Sequence, residues 1–285
     1  MESIIAGQLR NRVEERARDW CVVVEHTLQT KSSVIAFGRR GSRPVVLKVL
    51  KQPGDEWHSG EILNAFDGKG VVRVYEYVEG AVLLERLSPG NSLVSMALEG
   101  RDEEATQILA EIIQRMAALE SAKAWATVQE WAKGFERYSA SGDDQIPRDL
   151  VEKGRRVYSK LCGSQRCTRL LHGDLHHHNV LFDSDRGWVA IDPKGIVAEI
   201  EYEIGAALRN PYERPELFAS SATVERRLKL FASKLNLDFR RALAWGFAQA
   251  VLSAIWSVED GFAVDARNPS IVLAEAIRPM LESDH

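Results

Sequence analysis

Apolar and polar positions change rhythm along the chain, and the change divides it. Ser33 to Phe37 and Pro44 to Leu50 are β-branched-rich runs separated by the turn-like Gly38-Arg-Arg-Gly41-Ser, which predicts a hairpin. Val71 to Tyr77 and Ala81 to Leu87 form a second such pair around Glu79-Gly80. Between the pairs, Asp55 to Phe66 reads as one helix, ended by Asp67-Gly68-Lys69-Gly70. After Pro89-Gly90 the period lengthens. Glu103 to Leu119 places Ile108, Leu109, Ile112, Ile113, Met116 and Leu119 on one side of an amphipathic helix. Further helices are expected at about 125–138, 148–161, 222–235, 239–257 and 270–282, interrupted by one strand-like stretch, Asn179 to Ile191. The expected fold class is α+β. A strand-rich small lobe (1–87) leads through a linker near Leu84 to Gly90 into a mainly helical large lobe (88–285), and ligands favour the cleft between two such units.

Composition narrows the field. The 285 residues are 45% apolar and 27% charged, an ordinary globular balance. A net charge of −4 gives no basic excess to hold a phosphate backbone, so nucleic acid is not the expected partner. Cys21, Cys162 and Cys167 are too few for a disulfide framework and read as free thiols in a reducing compartment. The first twenty residues scatter charge through every turn, unlike a signal peptide. Leu243 to Trp256 is shorter than the roughly 20 residues a membrane crossing needs. The expected location is cytoplasmic, with no membrane partner.

Four of the seven histidines crowd into the window HGDLHHHN, at His172, His176, His177 and His178. Four readings compete. The histidines could bind zinc, although Gly173 and the lack of helical pattern weaken that. They could form a hydrogen-bonded loop without chemistry. One could serve a nucleophile as general base, but no G-x-S-x-G is present to receive it. In the fourth reading Asp174 and Asn179 are the working pair and the histidines pack or position them. The spacing favours this last reading, because Asp174 and Asn179 reproduce the D-x-x-x-x-N offset of a kinase catalytic loop.

Downstream, Asn179 to Phe182 and Trp188 to Ile191 flank a five-residue turn and should pair as a hairpin with Phe182 opposite Trp188. That register brings Asn179 and Asp192 to the open end of the hairpin, where two oxygen ligands can share a hard cation. Pro193 is expected to hold Asp192 in extended geometry at the strand exit. The alternative for Asp192 is a turn aspartate bonded to its own backbone. In VVLKVL, Lys48 shares a strand face with Val46 and Leu50, opposite Val45, Leu47 and Val49. Such a lysine either snorkels at an edge or has a buried anionic partner. Of the candidates Glu56 and Glu61, helical phase favours Glu56.

Together these residues resemble the protein-kinase-like antibiotic phosphotransferases, and within them the aminoglycoside/hydroxyurea resistance kinases that include streptomycin 6-phosphotransferases. The resemblance runs through VVLKVL, LLERLSPG, LLHGDLHHHNVLF, GWVAIDPKG, EYEIGAALRNP and WSVEDG. It implies a bilobal kinase-like fold and an ATP-dependent, magnesium-requiring transfer, with GTP as a possible donor. By resemblance, Asp174 orients the acceptor hydroxyl and Asn179 and Asp192 hold magnesium. Lys48 meets the α and β phosphates, and the backbone of Glu85 to Leu87 meets adenine. There is no G-x-G-x-x-G, and Lys31-Ser-Ser33 is the nearest substitute over the phosphates. Asp192 is followed by Pro-Lys-Gly rather than Phe-Gly, and no activation segment is present, which points to a small-molecule acceptor.

Glu199, Glu201 and Glu203 alternate after the metal loop, and Glu259 and Asp260 follow Trp256. If the 199–203 stretch is extended, the three glutamates share one face and would attract a cationic acceptor such as a streptomycin-type aminoglycoside. The alternative is a solvated acidic face. Trp256 could stack on a cationic substrate or belong to the core. The expected activity is phosphoryl transfer to a small cationic antibiotic; a metabolite kinase acting on a sugar or amino alcohol, or a pseudokinase regulator, are the alternatives.

Overall fold

The computed structural model describes residues 2–54, 56–116 and 125–282. The chain opens with helix α1 (Glu2–Asp19) and strands β1 (Val23–Gln29), β2 (Ser33–Arg40) and β3 (Arg43–Leu50). Helix α2 (Ser59–Ala65) precedes β4 (Val74–Val78), β5 (Ala81–Glu85) and the short β6 (Pro89–Ser92). Helices α3 (Val94–Leu98), α4 (Asp102–Arg115), α5 (Val128–Ser141) and α6 (Arg148–Cys162) follow. Then come β7 (Thr168–Leu171), β8 (Val180–Asp183), β9 (Gly187–Ala190) and β10 (Ile196–Glu199). The rest is helical: α7 (Gly205–Leu208), α8 (Pro215–Phe218), α9 (Ser221–Leu235), α10 (Phe239–Glu259) and α11 (Pro269–Glu282).

The expected start of the second helix at Asp55 and the 117–119 end of the expected 103–119 helix lie outside the described residues. Helix α2 begins only at Ser59, so Glu56 sits in the turn before it rather than on it. Helix α1, strand β1 and the short strands β7 and β10 were not foreseen.

Two compact units form. The first comprises Met1–Asn91 and Leu181–Lys194 with a short segment beginning at Arg115, so the β8–β9 hairpin groups with the N-terminal strands. Its antiparallel sheet has the order β1-β2-β3-β5-β4. On β3 the alternation seen in the sequence sorts the two faces. Val45, Leu47 and Val49 join Leu9, Val13 and Ala17 of α1 in one buried cluster. Val46 and Lys48 point to the other face, into a cavity. The helix thus lets one face of β3 be wholly apolar and leaves the other for chemistry. At the open edge, β1 is solvent-exposed along its length and carries a bulge between Val24 and His26. A side chain on Gly38 of β2 would meet the Val23 carbonyl oxygen at 2.3 Å, so the bulged strand lies directly on that glycine.

In the second unit α10 is the organising helix, packed against α5, α6, α7, α9 and α11. Its apolar stretch, too short for a membrane, is buried by these neighbours; among the described residues no helix is long and apolar enough to cross a bilayer. A buried ion pair ties α4 to α9: Arg227, 1% exposed, donates to both oxygens of Asp102, and its Nη1 donates to the carbonyls of Ala207 (2.9 Å) and Asn210 (2.7 Å).

Burial alone would raise the Asp102 carboxyl, but Arg227 and then Arg226 outweigh it and hold the carboxyl below the usual aspartate range. The folded value being depressed, this pair stabilises the fold above the ordinary carboxyl pKa of about 3.9, and that stability is lost as pH falls below it. Asp102→Ala strands the Arg227 guanidinium and should cost about 3–5 kcal/mol in urea denaturation at neutral pH. Adding Arg227→Met should recover most of that loss, which single-variant and double-variant unfolding curves will read directly.

Candidate active site

The first unit presents a cation, two carboxylates and a cavity. Lys48 is 5% exposed. Its Nζ lies 2.7 Å from Glu56 Oε2 and 2.8 Å from Asp192 Oδ1. Burial opposes the ammonium charge, but Asp192 and then Glu56 outweigh that and hold the lysine above its ordinary pKa. Glu56 is positioned by the turn it belongs to. The Gly80 N–H of the β4–β5 hairpin donates to the Trp57 carbonyl (3.0 Å), and the Trp57 ring lies where a Gly80 Cβ would be, 2.4 Å away. With φ at +74°, Gly80 meets both demands without a side-chain penalty.

Asp192 does not keep the extended geometry expected of it. Its φ is +55°, in the left-handed region. The following proline disfavours the right-handed helical region. Aspartate tolerates the left-handed region better than most. The bend places the carboxylate on Lys48.

The cavity holds about 310 Å³ and is walled by Phe37, Val46, Val72, Leu84, Leu181 and Ile191, with Glu85, Arg86 and Leu87 along one side and Lys48 and Asp192 among its polar lining. The size and apolar walls suit a planar heterocycle. Glu85 offers its carbonyl at most, because its N–H donates to Arg73 O (3.0 Å) and its carboxylate accepts from the Arg73 N–H and from Arg186. Ser33 is corrected: its hydroxyl is bonded to Thr30 Oγ1 (2.8 Å) within the β1–β2 turn, and it is 1% exposed, so it locks the turn rather than covering phosphates.

The second unit holds the catalytic-type loop, between β7 and the 3-10 turn His177–Asn179. Strand β7 pairs with β10, Leu171 opposite Ile196, and the His172 carbonyl accepts from Gly195 N–H (3.0 Å). Gly173 turns the chain at φ +81°, with the Trp131 Cη2 only 3.3 Å from where its Cβ would be. The Asp174 N–H donates to His172 Nδ1 (3.3 Å), and Asn179 Nδ2 donates to the Asp174 carbonyl (3.0 Å), leaving the amide oxygen as the donor a cation would meet. Arg209 Nη2 donates to Asp174 Oδ1 (3.2 Å), and His176 Nε2 lies 3.8 Å from Oδ2.

The histidine window is thereby explained as positioning groups. His176 Nδ1 accepts from the His178 N–H (3.2 Å). His178 stacks on Tyr212, rings 4.4 Å apart, with Glu213 Oε1 at 3.2 Å. His177 is fully buried, and burial holds it far below the ordinary histidine range, hence neutral. Among the described residues no three His, Cys, Asp or Glu side chains converge as a metal site of their own.

The acidic stretch departs most from expectation. Residues 200–202 form a 3-10 turn, not a strand, so the alternation of Glu199, Glu201 and Glu203 does not make one face. Glu199 is 1% exposed and bonded to Arg241 and to Trp245 Nε1 (2.5 Å). Glu201 is buried beside the start of α10, 3.5 Å from the Asp238 nitrogen. Glu203, 1% exposed, accepts from the His172 N–H (2.7 Å) and the Gly173 N–H (3.0 Å) and so fastens the catalytic-type loop from beneath. All three belong to the scaffold.

At the end of α10, Glu259 is in a two-point ion pair with Arg137 (2.8 and 2.9 Å), and Asp260 is exposed. Trp256 is half-buried, edge-on to Trp131 at 5.2 Å. Trp131 and Arg209 went unnoticed in the sequence. The second lies in the AALRNP run, where only an arginine beside an otherwise apolar helix end hinted at a buried partner.

A strand-built unit with a lysine–glutamate–aspartate ion-pair set and a helical unit with an HGDxHxxN loop define a bilobal α+β fold of the protein-kinase-like class. Solved structures agree on the fold. Aminoglycoside phosphotransferase APH(4)-Ia in complex with ADP and hygromycin B superposes with a TM-score of 0.67 at 14% identity, covering 94% of this chain and 97% of that one. Choline kinase from Streptococcus pneumoniae gives 0.63 at 15%, covering 97% and 100%. The particular family follows from sequence: the chain belongs to the aminoglycoside/hydroxyurea antibiotic resistance kinases, matched over residues 20–261. It is 35% identical to streptomycin 3''-kinase of Klebsiella pneumoniae over 82% of this chain and 87% of that protein. It is 30% identical to streptomycin 6-kinase of Streptomyces griseus, over 86% and 81%. Hydroxyurea phosphotransferase of Kitasatospora aureofaciens is also 30% identical, over 80% and 66%.

Burial raises the Glu203 carboxyl to about 8, against the pull of the two backbone N–H groups. A raised folded value means that its contribution to stability is complete below the ordinary pKa of about 4.3 and is lost as pH rises through the folded one. Urea unfolding should therefore show a stability that declines from about pH 5 to pH 8, and Glu203→Gln should flatten this decline. The same variant turns an amide NH₂ toward one backbone donor and should lose about 1–3 kcal/mol at pH 5.

Proposed function

We propose that the protein transfers the γ-phosphoryl group of ATP to a hydroxyl of a small cationic antibiotic of the streptomycin type and so confers resistance to it. The observation that carries the transfer reading is Lys48, withdrawn from water and held between Glu56 and Asp192 where it lines an apolar cavity of nucleotide-ring size. A scaffold has no need of a metal-type carboxylate on a left-handed turn beside such a cavity, whereas a nucleotide triphosphate uses both charges. Lys48 binds the α and β phosphates, and the 85–87 backbone meets adenine.

Asp192 and Asn179 supply hard oxygen donors of the kind magnesium takes, and the ion, when bound, neutralises charge on the phosphates. Asp174 accepts the hydroxyl proton as the acceptor oxygen bonds to the γ-phosphorus. The bond from phosphorus to the β–γ bridging oxygen breaks, and ADP leaves with that electron pair. The acceptor class is supported by the streptomycin kinases among the relatives, and not by the glutamates at 199, 201 and 203, which are committed elsewhere. Trp131 and Trp256 offer aromatic surface for a guanidinium-bearing ligand, while Glu259 beyond them is held by Arg137.

Transfer from labelled ATP and GTP to a panel of streptomycin, choline, hydroxyurea and neutral sugars tests the reading; streptomycin should be the preferred acceptor, and absence of transfer to any cationic acceptor would overturn it. Asp174→Asn should lower kcat by about 10²–10⁴-fold with nucleotide affinity within twofold, because the group takes a proton and orients the acceptor. Asp192→Ala should abolish magnesium-dependent binding of ATP in calorimetry, and unchanged affinity would remove it from the metal site.

A further inference from the structure

Arg209 is placed with more care than an incidental ion pair requires. It follows the last turn of α7, its side chain is 12% exposed, and the carboxylate that meets it is Asp174, at 3.2 Å. Its other arm, Nη1, donates to Gln249 Oε1 of α10 (3.0 Å). Gln249 cannot rotate away, because its Nε2 donates to the Tyr202 carbonyl (3.2 Å) and its amide fills the space where a side chain on Gly205 would lie, 2.1 Å from the Cβ position.

The backbone around Arg209 is equally fixed. The carbonyls of Ala207 and Asn210, on either side of it, both accept from Arg227 Nη1, and Arg227 is anchored by Asp102. Asn210 Nδ2 donates back to the Ala206 carbonyl (2.8 Å). One cation is thus held from α4, α9 and α10, and the group it presents is a planar fork whose two arms demand a defined direction.

We propose that Arg209 is a positioning residue for phosphoryl transfer, fixing the rotation of the Asp174 carboxylate so that it meets the acceptor hydroxyl in line with the γ-phosphorus. The inference rests on the reading of Asp174 as the group that takes the hydroxyl proton. Phosphoryl transfer leaves little covalent work to the protein, and a carboxylate turned away from the hydroxyl forfeits the advantage of proximity. Asp174 already has its backbone fixed by His172 and Asn179; Arg209 fixes the side chain.

The test compares the full-length wild type with Arg209→Gln, Arg209→Lys, Asp174→Asn and the Asp174→Asn, Arg209→Gln pair, using magnesium ATP and the best acceptor of the panel. Arg209→Gln should lower kcat by about 30-fold or more while the KM for ATP stays within about twofold, and Arg209→Lys should lower it by only about three- to tenfold, since charge survives and only the fork is lost. In the Asp174→Asn background the Arg209 change should add less than about threefold, because the two act as a unit.

A wild-type kcat in Arg209→Gln overturns the proposal. So does a rise in acceptor KM at unchanged kcat, which would make Arg209 a binding group. Equal losses in the glutamine and lysine variants, or full additivity in the pair, also overturn it. If Arg209→Gln does not fold, Arg209→Lys decides alone: a kcat loss of about threefold or more at unchanged KM and unchanged melting temperature supports the role, and anything less overturns it. Wild-type turnover in Asp174→Asn would instead overturn the reading of Asp174 itself, leaving the two failures distinct.

Discussion

A charge taken out of water must find its counter-charge at the same depth, and most of this molecule's particular geometry answers that demand. Lys48 could sit in a strand between Leu47 and Val49 only because Glu56 and Asp192 reach it from two other segments. To deliver those carboxylates, the turn before α2 is pinned to the β4–β5 hairpin, and the chain after β9 bends left-handed. The second unit repeats the rule with Asp102 and Arg227, Glu199 and Arg241, and Asp174 and Arg209. Each pair joins segments distant in sequence, so the ionic contacts fix which helix ends and loops meet, while apolar packing around α10 supplies the bulk of the stabilisation.

What was legible in the sequence divides along the same line. Alternation on β3 correctly separated Val45, Leu47 and Val49 from Lys48, because strand period is local and needs no knowledge of the partner. The ring contact of Phe182 with Trp188, 5.2 Å apart, likewise follows from a short hairpin. Reading Glu199, Glu201 and Glu203 by the same alternation failed, since a single 3-10 turn rotates the series and each carboxylate is claimed by a partner elsewhere: Arg241, the start of α10, and the loop at His172. Periodicity reports which residues share a face when the conformation is known; it cannot report that a buried acid has been recruited to hold backbone amides. Helix α1 was visible in principle, in the three-to-four spacing of Leu9, Val13, Ala17 and Trp20, but its charges masked the stripe.

Glu199, Glu201 and Glu203 act on ligand choice only through the scaffold they hold. With these three acids committed to the scaffold, the 199–203 stretch presents no acidic face to a ligand. Relatives named for streptomycin and for hydroxyurea are 35% and 30% identical to this chain, and one fold can serve different acceptors by changing the residues around a common site.

The bulge in β1 bears on how the chain behaves in a crowded solution. An outermost strand with Val23 71% and Leu28 53% exposed would ordinarily invite another chain to add itself in register. Here the extra residue between Val24 and His26 breaks the ladder just where Glu25 is held by Arg39 and Arg86, so an incoming strand would meet a kink and a charge cluster instead of a straight template. Gly38, which lets the bulged strand lie so close, is therefore a guard against self-association as much as a packing residue, and a larger residue there would put colloidal behaviour at risk before it touched the chemistry.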